Sequence, residues 1–374
     1  MWRSAVGSLA LIVMSHCACV TAGTFIDPLD EPASMSYLAS TSMISAVAVA
    51  GNSLVAVGAR GHVLVSDDDG ASWIQSPVPL STDLVAVHFP TPLQGWAVGH
   101  DSVIIHTSDG GKTWTRQLDG RMALKRLQAR YEYSMEKSDA IAAILRSIKI
   151  TMAQSADPDC LPLPLLDIWF KDEKVGYAVG AFNLIFHTSD GGEHWEPWLD
   201  KVDNPSEYNL NAIRGQGDAA YIVGERGLVL KLDQASGRFT PLALSYDGSF
   251  FGLIVEPDYL VVFGMRGHAF ISNKDGADFR QLTLGTTQTL VGGGALDDGR
   301  IALATQGGQL FVSDPSISRL SGIASPRMSG VLGATAIGAD AMALATSAGV
   351  TRAQINRADL SAIDAMHSET VPRP

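Results

Sequence analysis

The strongest constraint on this 374-residue chain is that it repeats itself. The segments "LVAVGARGHVLVSDDDGASW" (54–73), "GWAVGHDSVIIHTSDGGKTW" (95–114), "GYAVGAFNLIFHTSDGGEHW" (176–195), "AYIVGERGLVLKLDQASGRF" (220–239) and "LVVFGMRGHAFISNKDGADF" (260–279) align without gaps, and fainter copies follow at 301–314 and 341–354. The residue ending the first short apolar run marks each unit: Gly58, Gly99, Gly180, Gly224, Gly264, Thr305 and Thr346. Successive markers are 41, 81, 44, 40, 41 and 41 residues apart, so the 81 holds one unit plus an insertion of about forty residues. Within a unit, β-branched apolar runs alternate with Gly and Asp turns, which is the pattern of short strands, four to a unit. Four-stranded units repeated at this period form β-propeller blades. The expected fold is all-β, a seven-bladed β-propeller spanning 43–374. Its closing strand is expected from the N-terminal segment 23–42, around residues 34–40, or from the tail, 360–367, and the sequence leaves both open.

Composition supports this. Gly is abundant at 37 residues, as in a turn-rich β protein, and the formal charge of −12 excludes nucleic acid as a general partner. Met1-Trp2-Arg3 followed by an apolar run over 5–14 and small residues at 20–22 reads as a secretory signal peptide, residues 1–22. The stretches before Cys17 and Cys19 fit a lipoprotein box poorly. An exported chain, periplasmic or extracytoplasmic, is expected, and its mature part would keep only Cys160, which excludes an intramolecular disulfide.

The unit carries Ser/Thr-x-Asp-x-Gly-x-x-Trp between its third and fourth strands: Ser66-Asp68-Gly70-Trp73, Thr107-Asp109-Gly111-Trp114 and Thr188-Asp190-Gly192-Trp195, with a degenerate copy at Ser272-Gly276-Phe279. An Asp carboxylate can accept backbone N–H groups of its own turn, Gly supplies positive φ, and the aromatic ring packs beneath. Recurrence in several blades is what a structural role requires, since an active site needs each group once. The motif resembles the Asp-box, or bacterial neuraminidase repeat. With the preceding Gly-aromatic-Ala-Val-Gly strand ("GWAVG", "GYAVG"), it resembles the photosystem II stability and assembly factor family of propellers. That resemblance implies a chaperone-like protein without catalysis that binds a newly made membrane subunit. Relatives elsewhere in bacteria are exported, some linked to membrane transporters. Sialidases share the box and make glycoside hydrolysis the competing class, but their Arg-Ile-Pro signature is absent from the sequence.

The turn between second and third strands holds Arg60, Asp101, Phe182, Arg226, Arg266, Gly307 and Ala348 in blade order. With 18 Arg among 374 residues, seven random slots would hold about a third of one Arg. Three guanidiniums so placed can hold carboxylates bidentately, as on an acidic peptide, and they resemble the family's client-binding arginine patch by position in the blade. Strand direction puts these turns and the blade-to-blade links on one face of the ring, opposite the boxes. The insertion, 118–164, must emerge on that arginine face. It reads as two helices, 122–137 and 138–154, with Ser138 as N-cap and an apolar stripe of Ile141, Ile144, Leu145, Ile148 and Met152. Lys125, Arg126 and Arg130 lie on the first helix, and 118–153 carries seven Lys/Arg against four Asp/Glu. This basic hairpin is expected to join Arg60, Arg226 and Arg266 in a contact face for a membrane protein or envelope complex, or to meet an anionic membrane surface. No metal site and no cofactor are expected: His62, His106, His187 and His268 fall on separate blades, and "DDD" at 67–69 lies within a box.

Overall fold

The computed structural model describes residues 26–133, 138–324, 328, 330–356 and 358–363; the expected signal peptide lies outside them. Seven antiparallel sheets follow one another along the chain, over residues 44–76, 84–118, 165–197, 210–241, 250–282, 290–323 and 331–354. The first strand of each is Ile44–Ala50, Leu84–His88, Leu165–Phe170, Leu210–Gln216, Phe250–Val255, Leu290–Ala295 and Val331–Ile337. Each of these packs against its counterpart in the next sheet, and the last packs against the first, so the sheets are blades around a central channel. Apolar second and third strands fill the space between blades. Val55, Ala97, Val179, Val223, Val262, Leu303 and Leu344 are essentially inaccessible to solvent.

Among the described residues, six blades have four strands and the seventh has three. Residues 34–40 do not supply the fourth, and neither does the tail as far as residue 363; the rest of the expected tail segment, 364–367, lies outside the described residues. Residues 26–38 instead run along the outer edges of blades one and two. The Ala33 amide donates to the Val78 carbonyl (3.0 Å), the Ser36 amide to Gln75 Oε1 (2.8 Å), and Leu29 is buried. A short 3-10 turn, Ala39–Thr41, then packs on the last strand of blade seven. Ile355, Leu360 and Ile363 cover the other side of that blade. The ring is closed by side-chain packing alone among the described residues.

Every first strand carries a β-bulge at its second residue. In blade two, Leu84 pairs with Gly99 and Ala86 with Val98, leaving Val85 extra. The same shift leaves Ser45, Leu166, Asn211, Phe251, Val291 and Leu332 extra in the others. The bulge brings the marker glycine close: a Cβ on Gly99 would sit 2.0 Å from the Asp83 carbonyl oxygen, and one on Gly180 2.3 Å from that of Pro164. That contact accounts for glycine at the marker in blades one to five.

The boxes are turn devices, as expected. Asp109 accepts from the amides of Lys112 and Thr113 (both 2.9 Å) and from the hydroxyls of Thr107 and Thr113, while Thr107 Oγ1 accepts from Gly111 N–H (3.0 Å). Asp68 and Asp190 repeat the pattern with Ser72 and His194. Hydrogen bonds from the Ser72 hydroxyl and amide hold the Asp68 carboxyl down to about 2, against 3.8 ordinarily. At Asp190 burial opposes ionisation, but the amide and ring of His194 and the Thr188 hydroxyl bring it to about 2 as well. A depressed folded pKa stabilises the fold above the unfolded value and is lost as pH falls. The melting midpoint should therefore be insensitive to these groups above about pH 4 and fall between about pH 4 and pH 2. Exchanging Asp68, Asp109 and Asp190 together for Asn should flatten that acid limb in a pH series of melting curves; an unaltered limb would refute the assignment.

Candidate partner-binding face

The turns between second and third strands are two-residue hairpins. In blade one the His62 amide donates to the Ala59 carbonyl (3.1 Å), with Arg60 at φ 57° and Gly61 at φ 69° between them, which is a type I′ turn. Arg226–Gly227 and Arg266–Gly267 have the same shape, and Asp101–Ser102 and Phe182–Asn183 are left-handed at both positions too. Arginine therefore occupies the left-handed slot itself, where Gly, Asn or Asp is preferred and another residue bears a penalty of roughly 1 kcal/mol. All three arginines are exposed, and none of their guanidiniums has a hydrogen-bond or ion-pair partner among the described residues.

The ring does not gather the three at one point. Arg226 and Arg266 stand on neighbouring blades four and five, whereas Arg60 stands on blade one, three blades away in either direction. Phe182, left-handed and 56% exposed, occupies the same slot on blade three. An arc of Phe182, Arg226 and Arg266 thus runs over three consecutive blades.

The insertion forms α1 (Gly120–Leu127), a π turn over Gln128–Glu132, and α2 (Asp139–Gln154). Asp119 caps α1 by accepting from the Met122 amide (2.9 Å), and Ser138 caps α2 through the Ile141 amide. The first helix is shorter than expected, and 134–137 lie outside the described residues. The apolar stripe of α2 is spent internally: Ile141 and Ile144 are buried, and Leu145, Ile148 and Met152 pack on the blade-three core. Lys125 is exposed and Arg126 partly so, both without an ion-pair partner among the described residues, whereas Arg130 binds Asp200 (3.2 Å), which also accepts from the Tyr131 hydroxyl (2.7 Å). Arg130 fastens the hairpin to blade three.

Three histidines of the third strands are structural. Burial lowers the pKa of His106, which hydrogen bonds Gln94 (2.8 Å), and of His62, and brings His187 to about 4. Burial pushes the Cys160 thiol up to about 12, which keeps it protonated. Among the described residues, Asp190, Glu193 and His194 form one group with ligand atoms within 4.8 Å, but it is an exposed box whose carboxylate is already engaged by its own turn.

Sequence reasoning missed a polar link between blades three and four. Asp167, buried on the first strand of blade three, accepts from Ile213 N–H (2.9 Å) and pairs with Arg214 (2.5 Å) on the next first strand. Its equivalents are Ala46, Ala86, Ala212, Gly252, Gly292 and Gly333. A single acid among alanines and glycines was the available signal.

The sequence profile of the family described as photosynthesis system II assembly factor YCF48 matches residues 160–249. A stretch of 79 residues is 30% identical to the photosystem II assembly lipoprotein Ycf48 of Synechococcus sp. (strain CC9902), covering 21% of this chain and 24% of that protein. The chain thus aligns with about a quarter of the curated relative's length. The solved structure of YCF48 bound to D1 peptide superposes with a TM-score of 0.59 at 14% identity, covering 85% of this chain and 94% of the other. YCF48 from Cyanidioschyzon merolae superposes with a TM-score of 0.59 at 16% identity, covering 87% and 98%. At these identities the two structures establish the fold. Together with the profile and the relative, they establish that the chain is similar to the photosystem II assembly-factor family of Asp-box propellers. Neither the transporter reading nor the glycoside hydrolase reading gains support from these matches.

Proposed function

We propose that this protein is an exported, non-catalytic propeller that binds a segment of a membrane protein and assists assembly of its complex, with the arginine face as the contact. The observation that carries the reading is the repeated placement of an unpaired arginine in a left-handed turn position. Arg60, Arg226 and Arg266 each bear a conformational penalty, and among the described residues none of their guanidiniums makes a hydrogen bond or ion pair, as expected of groups whose partner is another molecule. Resemblance to the YCF48 proteins, one of which is solved with a peptide of D1, supports a polypeptide client. Its description as a lipoprotein in the curated relative supports an extracytoplasmic site of action. Lys125 and Arg126 extend the positive surface beside blade three.

Exchanging Arg60, Arg226 and Arg266 together for Ala should lower recovery of the bound membrane protein from detergent-solubilised envelope at least about tenfold, since a hydrogen bond to a charged group contributes roughly 1.5–3 kcal/mol. The melting midpoint should stay within a degree or two, because the side chains are exposed and their guanidiniums form no hydrogen bond or ion pair among the described residues. Unchanged recovery would assign the arginines to turn geometry alone.

A further inference from the structure

The arginine face also carries the mouth of the central channel, and that mouth is apolar. Each bulge residue lies on an innermost strand, next to the residue that pairs with the marker preceding the arginine-type turn, and so at the end of the channel that opens on this face. In five of seven blades the extra residue is apolar: Val85, Leu166, Phe251, Val291 and Leu332. None is fully buried, and Phe251 and Leu332 are each 38% exposed. Met43, just before the first strand of blade one, and Met265, beside Arg266, add exposed apolar surface at the same level. A bulge re-aims one side chain by leaving one residue out of the ladder and bending the strand locally, and such bulges concentrate next to functional sites. Here the device recurs in every blade and supplies a collar in which water meets mostly hydrocarbon. An apolar patch of this kind, rimmed by charge, marks a protein interaction site on an exposed surface.

We infer that the channel mouth seats an apolar side chain of an extended, acidic polypeptide segment whose carboxylates are held by Arg60, Arg226 and Arg266. The inference rests on the client-binding reading above and adds the requirement for the apolar anchor. Charge complementarity selects the occupant. The turns that bear the arginines lie between the second and third strands, one or two strand spacings of about 4.8 Å from the collar. A residue in the mouth therefore brings its chain neighbours within reach of the guanidiniums. Three separated arginines around an apolar centre match a segment that crosses the mouth, with acids before and after its anchor. This geometry also makes use of Arg60, which stands too far around the ring to act with Arg226 and Arg266 on a single carboxylate.

The test is selection of phage-displayed random linear dodecapeptides on the purified full propeller, followed by fluorescence-anisotropy titration of the enriched peptides. Enriched sequences should combine an apolar residue with flanking Asp or Glu. The double exchange Phe251→Ser and Leu332→Ser should weaken them at least about tenfold. Val49→Ser, at the opposite end of the channel, should leave binding unchanged, and all variants should keep the circular dichroism spectrum of the parent at the assay temperature. Peptides weakened by the triple arginine exchange but not by the collar exchange would overturn the apolar seat and leave the client-binding reading standing. Peptides indifferent to both sets of exchanges, or no enrichment at all, would overturn both. Binding of anionic phosphatidylglycerol vesicles that depends on Phe251 and Leu332, without peptide enrichment, would assign the collar to a lipid surface instead.

Discussion

Replacing Trp195 by Ala should destabilise the propeller by about 3–5 kcal/mol, the range for truncating a fully buried aromatic residue. Trp195 closes the box of blade three and is completely buried. Its ring meets Phe170 edge-on at 5.8 Å between centroids, Phe170 in turn stacks on Trp96 at 3.6 Å, and its indole N–H reaches Gln117 Oε1 of blade two (3.3 Å). The truncation therefore opens a cavity where blades two and three meet and removes one of the two indole donors to Gln117 Oε1, leaving that of Trp96 (3.1 Å). Trp195→Phe keeps most of the volume and should cost less than half as much. Chemical denaturation would check the difference. A loss near 1 kcal/mol for Trp195→Ala would mean that the box only turns the chain and does not join the blades.

Exchanging Asp167 for Ala is the second large effect, about 3 kcal/mol. The cost comes from what is left behind: a buried Ile213 N–H without an acceptor, and Arg214 without its counter-ion close to His88. Because the Arg214 side chain is 37% exposed, water recovers part of its solvation, which keeps the figure toward the lower end of the buried-pair range. Burial and the neighbouring Arg214 bring the His88 pKa down to about 3, so it is neutral and adds no second positive charge beside Arg214. Asp167→Asn retains an acceptor for the Ile213 amide and should cost roughly half as much. Equal losses for Ala and Asn in equilibrium unfolding would show that charge pairing dominates over the amide bond.

The architecture was legible because repetition averages out local ambiguity. One "HTSDGGKTW" is a loop of unknown purpose, whereas two such loops and five aligned units fix blade length and strand order. The α2 helix was legible from its cap and stripe. Pairings between residues distant in sequence were not. Arg130 looks like a free surface cation until Asp200, seventy residues on, is placed against it, and nothing local to Arg130 records that. Similarly, 349–354 reads like any third strand, and no feature of the sequence states that the described part of the tail adds no fourth. The collar left a weak trace, an extra residue near the start of each first strand, visible only when first strands are aligned on their pairing register. The arginines were found by position, but their left-handed backbone was hidden, because Arg before Gly suits many turns.

Closure by packing alone also has a kinetic consequence. Within a blade, strands join neighbours a few residues away, so each sheet forms with little loss of chain freedom. The seam joins 44–50 to 331–337, nearly three hundred residues apart, and among the described residues no shared strand ties the two ends together beforehand. The entropy of bringing such distant segments together has to be met before their contacts form. The seam should be the last part of the molecule to form, and an early-terminated chain would expose the apolar face of blade one that blade seven covers, including Ile44, Val47 and Ala56, to other chains.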